Sequence, residues 1–140
     1  METIFHLFNV KKENRQKLLN ALSTREGLSS WWTTHTEQPQ ENMWRFHFGN
    51  DYHKDFEVED QSDNHFKWKC EEGAPDWIDT LITFDLEEKN DKIVVKFRHS
   101  GWKEQNDNFG LCSFHWALYM KSLQELVEKG TGNPTKVNSK

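Results

Sequence analysis

The chain is poor in cysteine, in basic charge and in long apolar runs, and each shortage removes a class of protein. Two cysteines, Cys70 and Cys112, in 140 residues are too few for a disulfide-built scaffold. Both fall on apolar faces of predicted elements and read as small, reduced core residues. With 18 Lys and Arg against 23 Asp and Glu the net charge is -5, so no basic field exists to hold a phosphate backbone and nucleic acid is not an expected partner. No apolar stretch approaches the ~20 residues that cross a bilayer, so membrane insertion is not expected. The opening Met1-Glu2-Thr3 carries no basic, apolar leader, and a cytoplasmic location is expected. A Gly-rich phosphate loop, a Gly-x-Ser-x-Gly elbow, His-x-x-x-His and Cys-x-x-Cys are all missing. Nucleotide-dependent and serine-hydrolase chemistry therefore find no support. The seven histidines are scattered along the chain, and neither a dedicated metal site nor a cofactor is expected.

Aromatics, by contrast, are plentiful: seven Trp, ten Phe and two Tyr bring the aromatic share to 14% in a chain that is 29% charged. At about 25 cal/mol per Å², burying one aromatic of roughly 150 to 250 Å² contributes on the order of 4 to 6 kcal/mol before the entropy of ordering it. A few such side chains can hold one core together, and the length suits a single domain.

The pattern along the chain gives the elements. Ile4 to Val10 alternates loosely and predicts an opening strand. Lys12 to Ser23 carries a narrow stripe of Leu18, Leu19, Ala21 and Leu22 at helical spacing, and a short second helix carries Leu28, Trp31 and Trp32. Thr33 to Asn42 reads as a loop. From Met43 the period becomes two. Trp44, Phe46 and Phe48 share a face and Gly49-Asn50-Asp51 makes a turn; Phe56 and Val58 then face the core, with Lys54, Glu57 and Glu59 toward water or an edge. Phe66, Trp68 and Cys70, then Ile82, Phe84 and Leu86, then Ile93, Val95, Phe97 and His99 are the further inward rows. Phe109 to Lys129 is long enough at 1.5 Å per residue to span a small domain. Its first half is apolar nearly all round, which predicts cover on every side, and Gly130 stops it.

Two segments carry a family resemblance. Leu18-Leu19-Asn20-Ala21-Leu22-Ser23 followed by Glu26-Gly27-Leu28-Ser29-Ser30-Trp31-Trp32-Thr33 resembles the signature of START-like proteins of the activator-of-heat-shock-chaperone-ATPase type, within the SRPBCC superfamily. Arg98-His99-Ser100-Gly101-Trp102, followed by Trp116, Leu123 and Glu128-Lys129-Gly130, resembles that group's closing strand and terminal helix. The turn Gln61-Ser62-Asp63-Asn64 departs from the group's usual Pro-x-x-Arg. The resemblance implies an α+β helix-grip fold: a curved antiparallel sheet of about six strands wraps a long C-terminal helix, with two short helices after the first strand. Residues 1–130 would form the domain and 131–140 a disordered tail.

The resemblance also implies a cavity between helix and sheet, and the residues suggest its lining: Trp31, Trp32, Phe46, Trp68, Phe84, Phe97, His99, Phe109, Cys112, His115 and Trp116. The expected function is non-enzymatic binding of a small apolar molecule, lipid-like or polycyclic, oriented by His99 and His115. A cyclase- or hydrolase-type enzyme using His99, His115 and Tyr119 as catalytic groups is the alternative, and a chaperone-associated interaction domain is the second alternative. Besides the small apolar ligand, a second copy of the chain in a homodimer is the one further partner considered.

Overall fold

Period-two segments pair into one seven-stranded antiparallel sheet, and the helical stripes become three helices. The computed structural model describes residues 1–49 and 51–137. The strands are β1 (Glu2–Lys11), β2 (Thr36–Gln40), β3 (Met43–His47), β4 (His53–Gln61), β5 (His65–Glu72), β6 (Leu81–Lys89) and β7 (Lys92–Trp102). The helices are α1 (Arg15–Ser23), entered through a single 3-10 turn, α2 (Arg25–Trp31) and α3 (Asp107–Lys129). Spatial order is β1-β7-β6-β5-β4-β3-β2, so the first two strands lie at opposite edges and the chain crosses between them through α1 and α2.

Alternation fixes which side chains meet α3. Phe66, Trp68 and Cys70 on β5, Ile82, Phe84 and Leu86 on β6, and Ile93, Val95, Phe97 and His99 on β7 are all buried, with half-buried or exposed neighbours between them. Trp116 of α3 sits against Phe97 with ring centroids 4.5 Å apart, and against Trp32 at 5.0 Å. Sheet, short helices and α3 therefore share one core. This is the helix-grip fold.

The junction of α1 and α2 depends on Gly27. A Cβ there would lie 2.2 Å from the Asn20 carbonyl oxygen and 2.6 Å from the Ala21 Cα, so only glycine lets the two helices approach this closely. Thr24 caps α2 by accepting from Gly27 N at 2.9 Å, and Asn106 caps α3 by accepting from Phe109 N at 2.9 Å. Gly130, at φ 87°, ends α3.

Three expectations need correction. The stretch expected as a loop contains β2, an edge strand whose Thr36 pairs with Phe46, which makes the sheet seven-stranded. Its residues after Thr36 are exposed, so it has no inward apolar row to betray it, and Pro39 is tolerated because the outer edge has no partner strand. The first half of α3 is not covered all round: Leu111, Phe114 and Leu118 are 54%, 63% and 52% exposed, because the open sheet reaches only one side of the helix. The tail expected to be disordered from 131 instead packs back along residues 131–137. Thr135 N donates to the Trp32 carbonyl at 2.8 Å, Thr34 N donates to the Thr135 carbonyl at 2.9 Å, and Asn133 N donates to Ser122 Oγ at 2.6 Å. Residues 138–140, and Asn50 of the expected turn, lie outside the described residues.

Candidate functional site

A cavity of about 190 Å³ opens between α3 and the β3–β4 end of the sheet. Cys112, His115, Trp116 and Tyr119, spaced three and four apart, bring one stripe of α3 to it. Trp32 arrives from the end of α2, Trp77 from the turn before β6, and Phe48, Tyr52 and Lys54 from the β3–β4 hairpin. The lining is six aromatic rings, one imidazole, one thiol and one amine. A larger hollow, about 510 Å³, is an open surface groove between α3 and the tail with Lys121, Glu125 and Asn133 in its walls. It shares His115 and Tyr119 with the inner cavity, so these two side chains stand at the mouth.

Of the eleven residues expected to line the pocket, Trp32, Cys112, His115 and Trp116 do so. Trp31, Phe46, Trp68, Phe84, Phe97, His99 and Phe109 do not, and this is a correction. They interlock in the core instead: Trp31 donates through Nε1 to the Ala21 carbonyl at 2.8 Å and meets Phe84 edge-on, Trp68 meets Phe84 at 5.5 Å, and Phe109 packs on Trp102 at 5.3 Å. The adjacent Trp31 and Trp32 thus divide, one to the core and one to the cavity. Phe48, Tyr52, Lys54 and Trp77 were not foreseen. Parity could have found Lys54, because it pairs with Phe46 and lies two residues before Phe56, both of which face inward.

His99 is fully buried and its hydrogen-bonding capacity is used up. Trp116 Nε1 donates to Nδ1 at 3.0 Å, Nε2 lies 2.8 Å from Thr80 Oγ1, and the Thr80 hydroxyl donates to the Trp77 carbonyl at 2.5 Å. Since the single Thr80 proton goes to Trp77, His99 must be the neutral Nε2–H tautomer donating to Thr80. Burial, and then the nearby charge of Lys54, pushes its imidazole from 6.5 down to about 3. It orients the Trp116 and Thr80 side chains, and the roles expected of it toward a ligand or in catalysis are corrected accordingly. His115 is exposed at the mouth, and Tyr119 makes its hydroxyl bond to Thr135 Oγ1 at 3.2 Å. The three catalytic candidates do not converge, and no carboxylate lines the cavity.

Lys54 is the cavity's only ammonium. Its Nζ lies 4.2 Å from the Trp77 ring centroid, 4.4 Å from Phe48 and 5.1 Å from Tyr52. Burial pushes it from 10.5 down to about 8, with Cys112 and Cys70 acting weakly in the opposite sense. The Cys70 thiol is pushed up from 9.0 to about 12 by its own burial.

The outer face corrects the expectation that the histidines are scattered. Strand pairing gathers His35, Glu37 and His47 on one side of the β2 edge, and His53, Asp55 and Glu72 beside them, each group with its ligand atoms within 4.8 Å. Their present partners are one another and Arg45: His47 bonds Glu37, and Arg45 makes a two-pronged pair to Asp55 at 2.9 and 3.0 Å.

The family model described as Activator of Hsp90 ATPase homolog 1-like protein matches residues 13–128. The chain belongs to this family. Among solved structures of similar fold, the Aha1 dimer from Colwellia psychrerythraea is 31% identical, with 94% of this chain and 100% of that chain covered at a TM-score of 0.84. A Staphylococcus saprophyticus protein shares 15% identity over 97% of this chain and 98% of its own, at a TM-score of 0.72. A Micromonospora echinospora protein shares 11% identity over 94% of this chain and 76% of its own, at 0.71. The last two share the family's fold. Comparison with the curated proteins finds no match. Among the described residues no helix is long and apolar enough to cross a membrane.

Proposed function

We propose that this protein binds a small apolar molecule, about the size of one aromatic ring, in the cavity between α3 and the β3–β4 hairpin. The enclosure of that cavity by aromatic side chains, in the place where the helix-grip fold leaves a hollow, carries the reading. Volume sets the ligand size. An apolar cavity of about 150 Å³ takes up benzene, whereas drug-sized ligands occupy roughly 300 to 1,000 Å³. A hollow of about 190 Å³ therefore suits a monocyclic ligand better than the polycyclic or lipid-like one expected from the sequence. Trp32 and Trp116 would stack on it, Cys112 would meet its edge, and His115 would stand at the entrance. Binding without turnover is favoured over a cyclase or hydrolase, because His99 is spent on Trp116 and Thr80 and the lining offers no carboxylate. Titration of the protein with neutral phenylacetamide, followed by the indole N–H resonances, tests this. Saturable shifts at Trp32, Trp77 and Trp116 with Trp44 unmoved are expected; no saturable shift at any of them overturns the reading.

Self-association through α3 is a second reading, favoured by the exposed stripe of Leu111, Phe114 and Leu118 on one side of that helix. The dimeric Colwellia psychrerythraea relative lends it support. Sedimentation velocity should find a dimer that Phe114→Glu converts to monomer. A monomeric parent protein at high concentration would dismiss it.

A further inference from the structure

The cavity holds one feature that an apolar ligand alone does not explain. Lys54 enters it from an inward-facing strand position, with Phe46 across the ladder and Phe56 two residues on. Taking an ammonium into such surroundings is costly unless an anion answers it. Elsewhere on the strands the cations have answers, as in Arg45 with Asp55, Lys96 with Glu87 and Lys67 with Glu59. Lys54 has only ring faces, and cation–π contacts return part of what an ion pair would. Among the described residues, no carboxylate pairs with it. A second donor in the same lining is also unanswered: Trp32 is 1% exposed and its Nε1 has no hydrogen-bond partner among the described residues.

We propose that the molecule bound here carries a carboxylate, so that the ligand is a small monocyclic carboxylic acid whose ring lies among the aromatic walls and whose anion pairs with Lys54. This rests on the binding reading above and deepens it. One monovalent cation and apolar walls match a single carboxylate. A phosphate dianion would call for a second lysine or an arginine fork, and the lining has neither. Cationic ligands are repelled by the same ammonium. The unanswered Trp32 N–H is a further donor available to a ligand oxygen. With Lys54 depressed to about 8, most of the population is still protonated near neutral pH and able to pair.

Calorimetric titration with sodium phenylacetate and with phenylacetamide, which differ in charge and little in shape, separates the two claims. The parent protein should bind the acid about ten- to hundredfold more tightly than the amide, the range expected of a charge-assisted hydrogen bond. Lys54→Met, similar in length and without charge, should lose that preference and keep amide binding, which also shows that the variant is folded. If the parent binds acid and amide equally, or if Lys54→Met keeps the preference, the carboxylate inference is overturned and the cavity reading stands. If neither compound binds the parent, both are overturned. Should Lys54→Met fail to fold, the acid-to-amide ratio in the parent protein still decides.

Discussion

Trp116 Nε1 donates to His99 Nδ1 across 3.0 Å, tying the middle of α3 to the inner face of β7. The bond assigns the proton on His99 to Nε2 and leaves the imidazole neutral in the core, shielded from the cavity by Trp77 and Trp116 at centroid distances of 4.5 and 5.9 Å.

Replacing His99 by Leu should strand the Trp116 N–H and remove the donor to Thr80 Oγ1, lowering stability by about 1–3 kcal/mol. The folded imidazole sits near 3 against 6.5 in the unfolded chain. Between those values the unfolded chain binds the extra proton, so His99 makes the parent progressively less stable as pH falls from 6.5 toward 3. Urea unfolding at pH 7 and pH 4 should show a smaller acid loss in His99→Leu than in the parent; equal losses would contradict the assignment.

Lys54 acts in the opposite pH range. Its folded value of about 8 lies below the 10.5 of the unfolded chain, so the full penalty is present below pH 8 and is relieved as pH rises to 10.5. Cys70, raised from 9.0 to about 12, and Tyr52, also raised by burial, oppose this in the parent over the alkaline range. The parent and Lys54→Met therefore have to be compared at each pH. Lys54→Met should be more stable at pH 7 by about 1–3 kcal/mol, with the advantage shrinking toward pH 10.5. A constant difference across that range would show that Lys54 is not desolvated.

Gly27→Ala separates packing from helix propensity. Propensity alone favours alanine by about 1 kcal/mol, but the added methyl would strike the Asn20 carbonyl and the Ala21 Cα, which are backbone and cannot step aside. A net loss of about 3 kcal/mol in chemical denaturation is expected. A gain would mean that α1 and α2 are not this close.

Cys112→Leu adds bulk to the cavity wall from α3. Amide and acid probes should both weaken at least tenfold, while stability changes by about 1 kcal/mol or less because the addition enters open space. Unchanged affinity for both probes would place their site elsewhere, and the surface groove beside Tyr119 would be the next region to map.

The inward rows of β5, β6 and β7 could be read in advance because strand alternation is a local property, and Phe66, Trp68, Phe84 and Phe97 announce it by size. β2 escaped because an exposed edge strand has no apolar row. Lys54 escaped for a related reason: its charge argued for solvent while its parity argued for the core.

The amino-acid order was enough to settle the family, every element except the edge strand β2 and most of the core, since periodicity and the two motif segments are written along the chain. Folding alone settled which aromatics fill the interior and which surround a hollow. Trp31 and Trp32 are neighbours in sequence, yet one bonds to Ala21 and the other lines the cavity with Lys54 and Trp116. Whether a buried ring meets other rings or open space depends on how far α3 stands from the sheet, and that distance is set by side chains contributed from every element at once.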